Sequence, residues 1–269
     1  MFQLIIKENV MLVFSAITSH PPIIIPEIGA GDELQQVRNT INSMKELREE
    51  LKKESPDTVI VVSPHASFHS DVFGINEANP LKGTMKHFGF SGEFKFENDM
   101  NLIKKIGEEA GKENIETNYF LGDLDHGSLV PLYYLASDNQ FKLIHLSFAS
   151  RSREEHLKFG KIIQKICKKT NEKIALIASG DLSHRLMPFA PAGYSPQGKI
   201  FDEQLINLLE EKNFQGVLGM NSQLIEEAGE CGYRSILILM GAVGEDDFHF
   251  NKKSYEGPFG VGYLTARTS

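Results

Sequence analysis

An α/β fold is the class this sequence predicts, as a single three-layer α/β/α domain over residues 1–269 with a mixed, mostly parallel central sheet. Apolar, β-branched runs alternate with amphipathic, charge-rich stretches, the pattern of strands that cross over through helices into a sheet covered on both faces. No repeat, linker or low-complexity segment interrupts the alternation or marks a second domain. A hydrophobic content of 41% over 269 residues is ample for an extended core.

The elements follow in order. Residues 1–10 precede a second methionine, Met11, and read as an extension. Strands are expected over 11–17, 58–62, 142–148 and 174–178, each about the length of a buried strand. After the first strand, Gly29-Ala30-Gly31 lacks the spacing of a dinucleotide loop or a P-loop lysine and serves to turn the chain into a helix. That helix is expected over 33–53 with Asp32 as its acidic start and Leu34, Val37, Ile41, Met44, Leu47 and Leu51 on one face. Ser55-Pro56 ends it, because a residue before proline is pushed out of the helical region. Residues 71–96, rich in Gly, Asn, Phe and Lys, read as short strands or an excursion over the site. Further helices are expected over 100–111, 129–135, 152–169, 199–211 and 232–243, and Tyr255-Glu256-Gly257-Pro258-Phe259-Gly260 reads as a turn into the final strand.

Composition excludes several function classes. A formal charge of −8 repels phosphate backbones and anionic lipid surfaces, so nucleic acid and membranes are not expected partners. No apolar run reaches the roughly 18–20 residues that span a bilayer. Two cysteines, Cys167 and Cys231, can build neither a disulfide framework nor a CxxC metal knuckle, which fits a reducing cytoplasm. A homo-oligomer is compatible with all of this.

Four histidines stand in small turn-rich clusters after or near apolar runs: His20 in Thr18-Ser19-His20-Pro21-Pro22, His65 in Ser63-Pro64-His65, His126 in Asp125-His126-Gly127, and His184 in Gly180-Asp181-Leu182-Ser183-His184. Strand ends of an open α/β sheet converge on one crevice, so the pattern is that of a metal-centred active site. The two prolines after His20 stiffen its turn and suit a metal ligand, and His65 repeats the arrangement after a second strand. His69 is more simply a residue behind the ligands or at the surface. Asp125 reads as a helix cap, with His126 near the helix's positive end, where a neutral imidazole is favoured and can hydrogen-bond to substrate or bound oxygen. His184, in a polar turn, can exchange protons near neutral pH. Ser179 and Ser183 beside it do not make a serine hydrolase, because no GxSxG elbow is present. For an acidic ligand, Glu226 and Glu227 read as ordinary first-turn glutamates, whereas Glu230, between Gly229 and Cys231-Gly232, is unusual. Two imidazoles and one carboxylate on one face of iron(II) leave open positions for substrate and O2; zinc(II) on the same ligands would activate water.

Together, Ser19-His20-Pro21-Pro22-Ile23, Ser63-Pro64-His65, Asp125-His126-Gly127-Ser128-Leu129-Val130-Pro131-Leu132, Ser179-Gly180-Asp181-Leu182-Ser183-His184 and Ala228-Gly229-Glu230 resemble the catalytic chains of the class III extradiol ring-cleavage dioxygenases, and within them the Memo-type branch. The resemblance implies that His20, His65 and Glu230 bind non-haem iron(II), that His184 is the acid/base, that His126 assists substrate or oxygen, and that the substrates are a small aromatic diol and O2. In Memo-type relatives a cysteine stands near the place of the acidic ligand. Adjacent Glu230 and Cys231 point about 100° apart at a helix start, so one of them reaches the metal, and Glu230 is favoured because it completes the oxygenase set.

Overall fold

In the computed structural model, which describes residues 11–66, 71–136 and 141–269, the order is β1 (Leu12–Thr18), α1 (Asp32–Gln36), α2 (Arg38–Glu54), β2 (Thr58–Ser63), β3 (Phe73–Asn76), β4 (Leu81–Thr84), β5 (Glu93–Phe96), α3 (Met100–Lys112), β6 (Thr117–Phe120), α4 (His126–Leu135), β7 (Lys142–Ser147), α5 (Arg153–Cys167), β8 (Ile174–Ser179), α6 (Pro196–Glu210), α7 (Phe214–Leu218), α8 (Ser222–Ala228), α9 (Tyr233–Val243), β9 (Asn251–Glu256) and β10 (Tyr263–Arg267). His69 and residues 1–10 lie outside the described residues.

Among the described residues, eight strands form one mixed sheet in the order β6-β3-β7-β2-β8-β1-β10-β9, and β4 pairs with β5 apart from it. The expected α/β class holds. The four expected strands make its centre, with β7, β2, β8 and β1 mutually parallel. The runs of β2, Thr-Val-Ile-Val-Val-Ser, and of β8 are buried along their whole length because helices cover both faces. Residues alternate between two cores: Ile60, Val62, Ile144 and Leu176 pack towards Ile162 and Ile238, while Val59, Val61, Leu143 and Ile177 pack towards Met44, Leu47, Leu129 and Leu132. The flanks are antiparallel, β10 against β1 and β3 against β7.

α5 and α9 cross in backbone contact. A Cβ on Gly160 would stand 2.0 Å from the carbonyl oxygen of Ile238, and one on Gly241 would stand 2.1 Å from that of Leu157. We expect Gly160→Ala to cost at least about 2 kcal/mol, within the usual range for overpacking, read as a lower urea midpoint with an unchanged slope.

Two expected elements come out differently. The helix expected over 33–53 is broken at Val37, whose φ of −106° and ψ of 19° leave the helical region. The break is stabilised from β9: Glu256 accepts hydrogen bonds from the Thr40 backbone N–H at 2.8 Å and its hydroxyl at 2.7 Å, which caps α2. Tyr255 and Glu256 therefore end a strand, and the turn proper lies between β9 and β10.

The strand ends are level where the chemistry gathers. Thr18 pairs with Ser179 and Ser63 with Ser147, so β1, β2 and β8 release the chain on one edge of the sheet. His20, His65 and Asp181 each stand two residues beyond such an end.

Candidate metal centre

His20 is almost completely buried, and its place is fixed at several atoms. Its backbone N–H donates to Asp181 Oδ1 at 2.9 Å, and its Nδ1 lies 2.9 Å from Ser179 Oγ. The Ser179 hydroxyl itself donates to the carbonyl of Gly127, so it accepts from Nδ1–H of His20 and leaves the Nε2 lone pair facing the pocket. The Gly127 carbonyl is free for this purpose because Pro131, four residues on inside α4, has no N–H to give it.

His65 brings its Nε2 to 3.1 Å from Nε2 of His20. Cys231 places its Sγ 3.7 Å from the same His20 nitrogen and accepts from the Asp181 backbone N–H at 3.2 Å. One ligand atom from each of these three residues lies within 4.8 Å of the others. Glu230, the expected third ligand, is not part of this group, whereas its alternative Cys231 is. Glu230 turns its carboxylate away to accept the Tyr233 backbone N–H at 2.5 Å, with Arg234 Nη1 at 3.9 Å. The first turn of α9 has unpaired N–H groups to satisfy, and Glu230 answers that need while its neighbour faces the histidines.

His126 stacks on His65, with ring centroids 4.3 Å apart and an interplanar angle of 21°, and meets His20 edge-on at 5.5 Å. Phe88 closes over its outer side at 5.5 Å. His184 donates Nδ1–H to the Gly229 carbonyl at 2.6 Å, so its Nε2 is the basic atom, 3.9 Å from both Asp181 Oδ2 and Cys231 Sγ.

Burial sets the proton affinities. It lowers His20 to about 4, with the neighbouring His65 and His126 adding to it and Asp181 opposing. Burial likewise lowers His65 and His126, so all three imidazoles are neutral at pH 7. For His126 the first cause is enclosure, followed by the neighbouring His65. His184 moves the other way: burial disfavours its cation, but the nearby charge of Asp181 and the hydrogen bond to the Gly229 carbonyl outweigh that and raise it.

Sequence reasoning misses three supporting residues, His145, Asn76 and Ser63. His145, on β7, places Nε2 3.0 Å from Asp125 Oδ2, while Nδ1 lies 3.1 Å from the Asn76 amide. Ser63 donates to Asp125 Oδ1 at 2.6 Å. The signal for His145 is a titratable side chain at a buried position in the middle of Lys-Leu-Ile-His-Leu-Ser, a position that burial leaves to apolar residues unless a partner waits. Asp125 also accepts from the Ser128 N–H, as a cap should.

Residues 15–266 match the family described as the catalytic LigB subunit of aromatic ring-opening dioxygenase. The chain belongs to the LigB family. Its curated relatives include Protein CA_C1420 of Clostridium acetobutylicum, 36% identical over 258 residues, 91% of this chain and 54% of that protein, so the chain spans about half the length of this relative. It is 26% identical to the 3,4-dihydroxyphenylacetate 2,3-dioxygenase of Escherichia coli over 228 residues, 78% of this chain and 82% of that one. Among solved structures, the uncharacterised protein JW3007 from Escherichia coli K12 superposes with a TM-score of 0.66 at 17% identity, over 95% of this chain and 99% of that chain, a likeness of fold. Among the described residues no helix is long and apolar enough to cross a membrane.

In this LigB-family chain the loop bearing His184 is tied from behind. Asp202 of α6 accepts the Ser183 N–H at 2.8 Å and the Tyr255 hydroxyl at 2.6 Å. Burial raises the Asp202 carboxyl to about 7. An acid whose folded value lies above its unfolded one adds stability below the unfolded value near 4 and loses it as pH rises through 7. Asp202→Asn keeps an oxygen for Ser183, so its urea midpoint relative to the parent should climb between pH 4 and 8. A parallel pair of curves would contradict the assignment.

Proposed function

We propose that the protein is a non-haem iron(II)-dependent dioxygenase of the extradiol type, opening the ring of a catechol-like aromatic diol with O2, with His20, His65 and Cys231 holding the metal. The supporting observation is the 3.1 Å separation of two ring nitrogens with a cysteine sulfur at 3.7 Å. Two nitrogens bound at about 2.1 Å to one tetrahedral ion stand roughly 3.4 Å apart, so the donor set fits a metal. The fixed tautomer of His20, lone pair inward, fits it as well. Iron(II) held there would supply neighbouring open positions at which a diol and O2 can react.

The remaining steps belong to the side chains. His184 Nε2 takes the proton of one diol hydroxyl as the substrate enters, and Asp181 stabilises the resulting imidazolium. The Nδ1–H bond to Gly229 keeps that Nε2 aimed at the pocket throughout. Neutral His126 donates a hydrogen bond to a substrate or oxygen atom, held flat against His65 while Phe88 excludes water from its outer side.

A cysteine in place of the carboxylate supports a second reading, because thiolate and imidazole together suit zinc: a zinc-dependent hydrolase that uses His184 as its base. One experiment separates the two. The protein is purified without oxygen, loaded with Fe(II) or Zn(II), and offered catechols, including 3,4-dihydroxyphenylacetate, with O2, or esters and amides without it. Yellow ring-opened product with iron alone supports the dioxygenase. Hydrolysis with zinc and no product from any catechol by the iron-loaded protein would replace it with the hydrolase.

A further inference from the structure

We propose that His145, in the buried centre of the sheet, is a positioning residue for both histidine ligands, acting through the first turn of α4; this rests on the metal reading of the site. Asn76 Oδ1 accepts the Ala78 N–H at 3.1 Å, which fixes the amide so that its Nδ2 faces His145 Nδ1 and also donates to the Gly122 carbonyl at 2.8 Å. His145 Nδ1 is therefore an acceptor, and Nε2–H must point at Asp125 Oδ2. The side chain of His145 is fully enclosed, so this one donor is delivered without competition from solvent.

Asp125 divides its carboxylate between two tasks. Oδ2 is held by His145, and Oδ1 accepts from Ser63 and from the Ser128 N–H at the start of α4. From that turn two short paths lead to the ligands. The Ser63 oxygen accepts the His65 backbone N–H at 3.3 Å, which sets the His65 turn. The Gly127 carbonyl accepts the Ser179 hydroxyl, which receives Nδ1–H of His20. A Cβ on Gly127 would stand 2.5 Å from Ser63 Oγ and 3.2 Å from Cδ2 of His65, so the turn lies directly on the ligand-bearing strand end. His126 leaves the same turn and stacks on His65. Removal of the donor at 145 frees Asp125 to rotate, and His20, His65 and His126 lose a common reference together.

The test uses cobalt(II) titrated into the full chain without oxygen, read through the thiolate-to-cobalt absorption band. His145→Leu fills the space but cannot donate, and it is expected to weaken cobalt binding about 10- to 100-fold and to change the band at saturation. His145→Gln places an amide N–H near the original Nε2 and should restore affinity to within about threefold. A residue that only packs would give the reverse, with Leu close to the parent and Gln the weaker binder, and that result would overturn the proposal. If the Leu variant does not fold, His145→Asn serves in its place, since its shorter amide stops at the Nδ1 position; equal affinity in Asn and Gln variants would also overturn it. Absence of cobalt binding in the unaltered protein, by metal analysis after dialysis, removes the metal reading, and the proposal with it, whereas normal binding and a normal band unaffected by His145→Leu remove the proposal alone.

Discussion

Replacing Cys231 with alanine is expected to strip the protein of tightly held metal, while replacing Glu230 with alanine leaves metal binding nearly intact and lowers stability. The two residues are adjacent, yet Cys231 Sγ faces His20 and His184 whereas the Glu230 carboxylate is spent on the Tyr233 N–H and Arg234. On the proposed donor set, loss of the sulfur removes a direct ligand, so the affinity should fall by more than the roughly 10- to 100-fold that removal of an outer hydrogen-bond partner costs. Loss of the carboxylate is a cap deletion worth about 1 kcal/mol. Metal analysis after dialysis and a urea melt of each variant give both quantities. Metal retained in Cys231→Ala and lost in Glu230→Ala would return the third position to the carboxylate.

The second large effect falls on turnover. His184→Ala should keep the metal and reduce ring opening by about 10²- to 10⁴-fold, the usual contribution of a positioned acid or base. His20→Ala and His65→Ala should instead fail already at metal loading, because their Nε2 atoms are the pair separated by 3.1 Å. Metal content measured beside single-turnover rates distinguishes the two patterns. Equal metal content in all three variants would dissolve the division of labour between ligands and base.

The central strands and the placing of the histidines are legible because buried parallel strands write themselves as continuous apolar runs, and each of His20, His65 and His184 follows such a run closely. The antiparallel edge strand β9 is hidden for the same reason. Asn-Lys-Lys-Ser-Tyr-Glu carries no apolar run, since its lysines protect an open sheet edge. Motif favours Glu230 over Cys231, and local sequence holds no record of which neighbour a helix start will claim as its cap. His145 escapes because its partners, Asn76 and Asp125, are distant in the chain and meet it only through folding. Orientation and tautomer, rather than residue type, are what the three-dimensional structure adds.

Pro131 shows where such additions can be traced back to one atom. Judged as helix, position 131 is a poor choice, because an interior proline costs roughly 3 kcal/mol relative to alanine. A campaign that ranked variants by thermal tolerance would therefore tend to replace it, and the improved helix would carry a new amide hydrogen aimed at the oxygen that now receives Ser179. Such a variant would melt later and, on the proposed metal site, bind an ion less well, a trade that robustness screens are blind to.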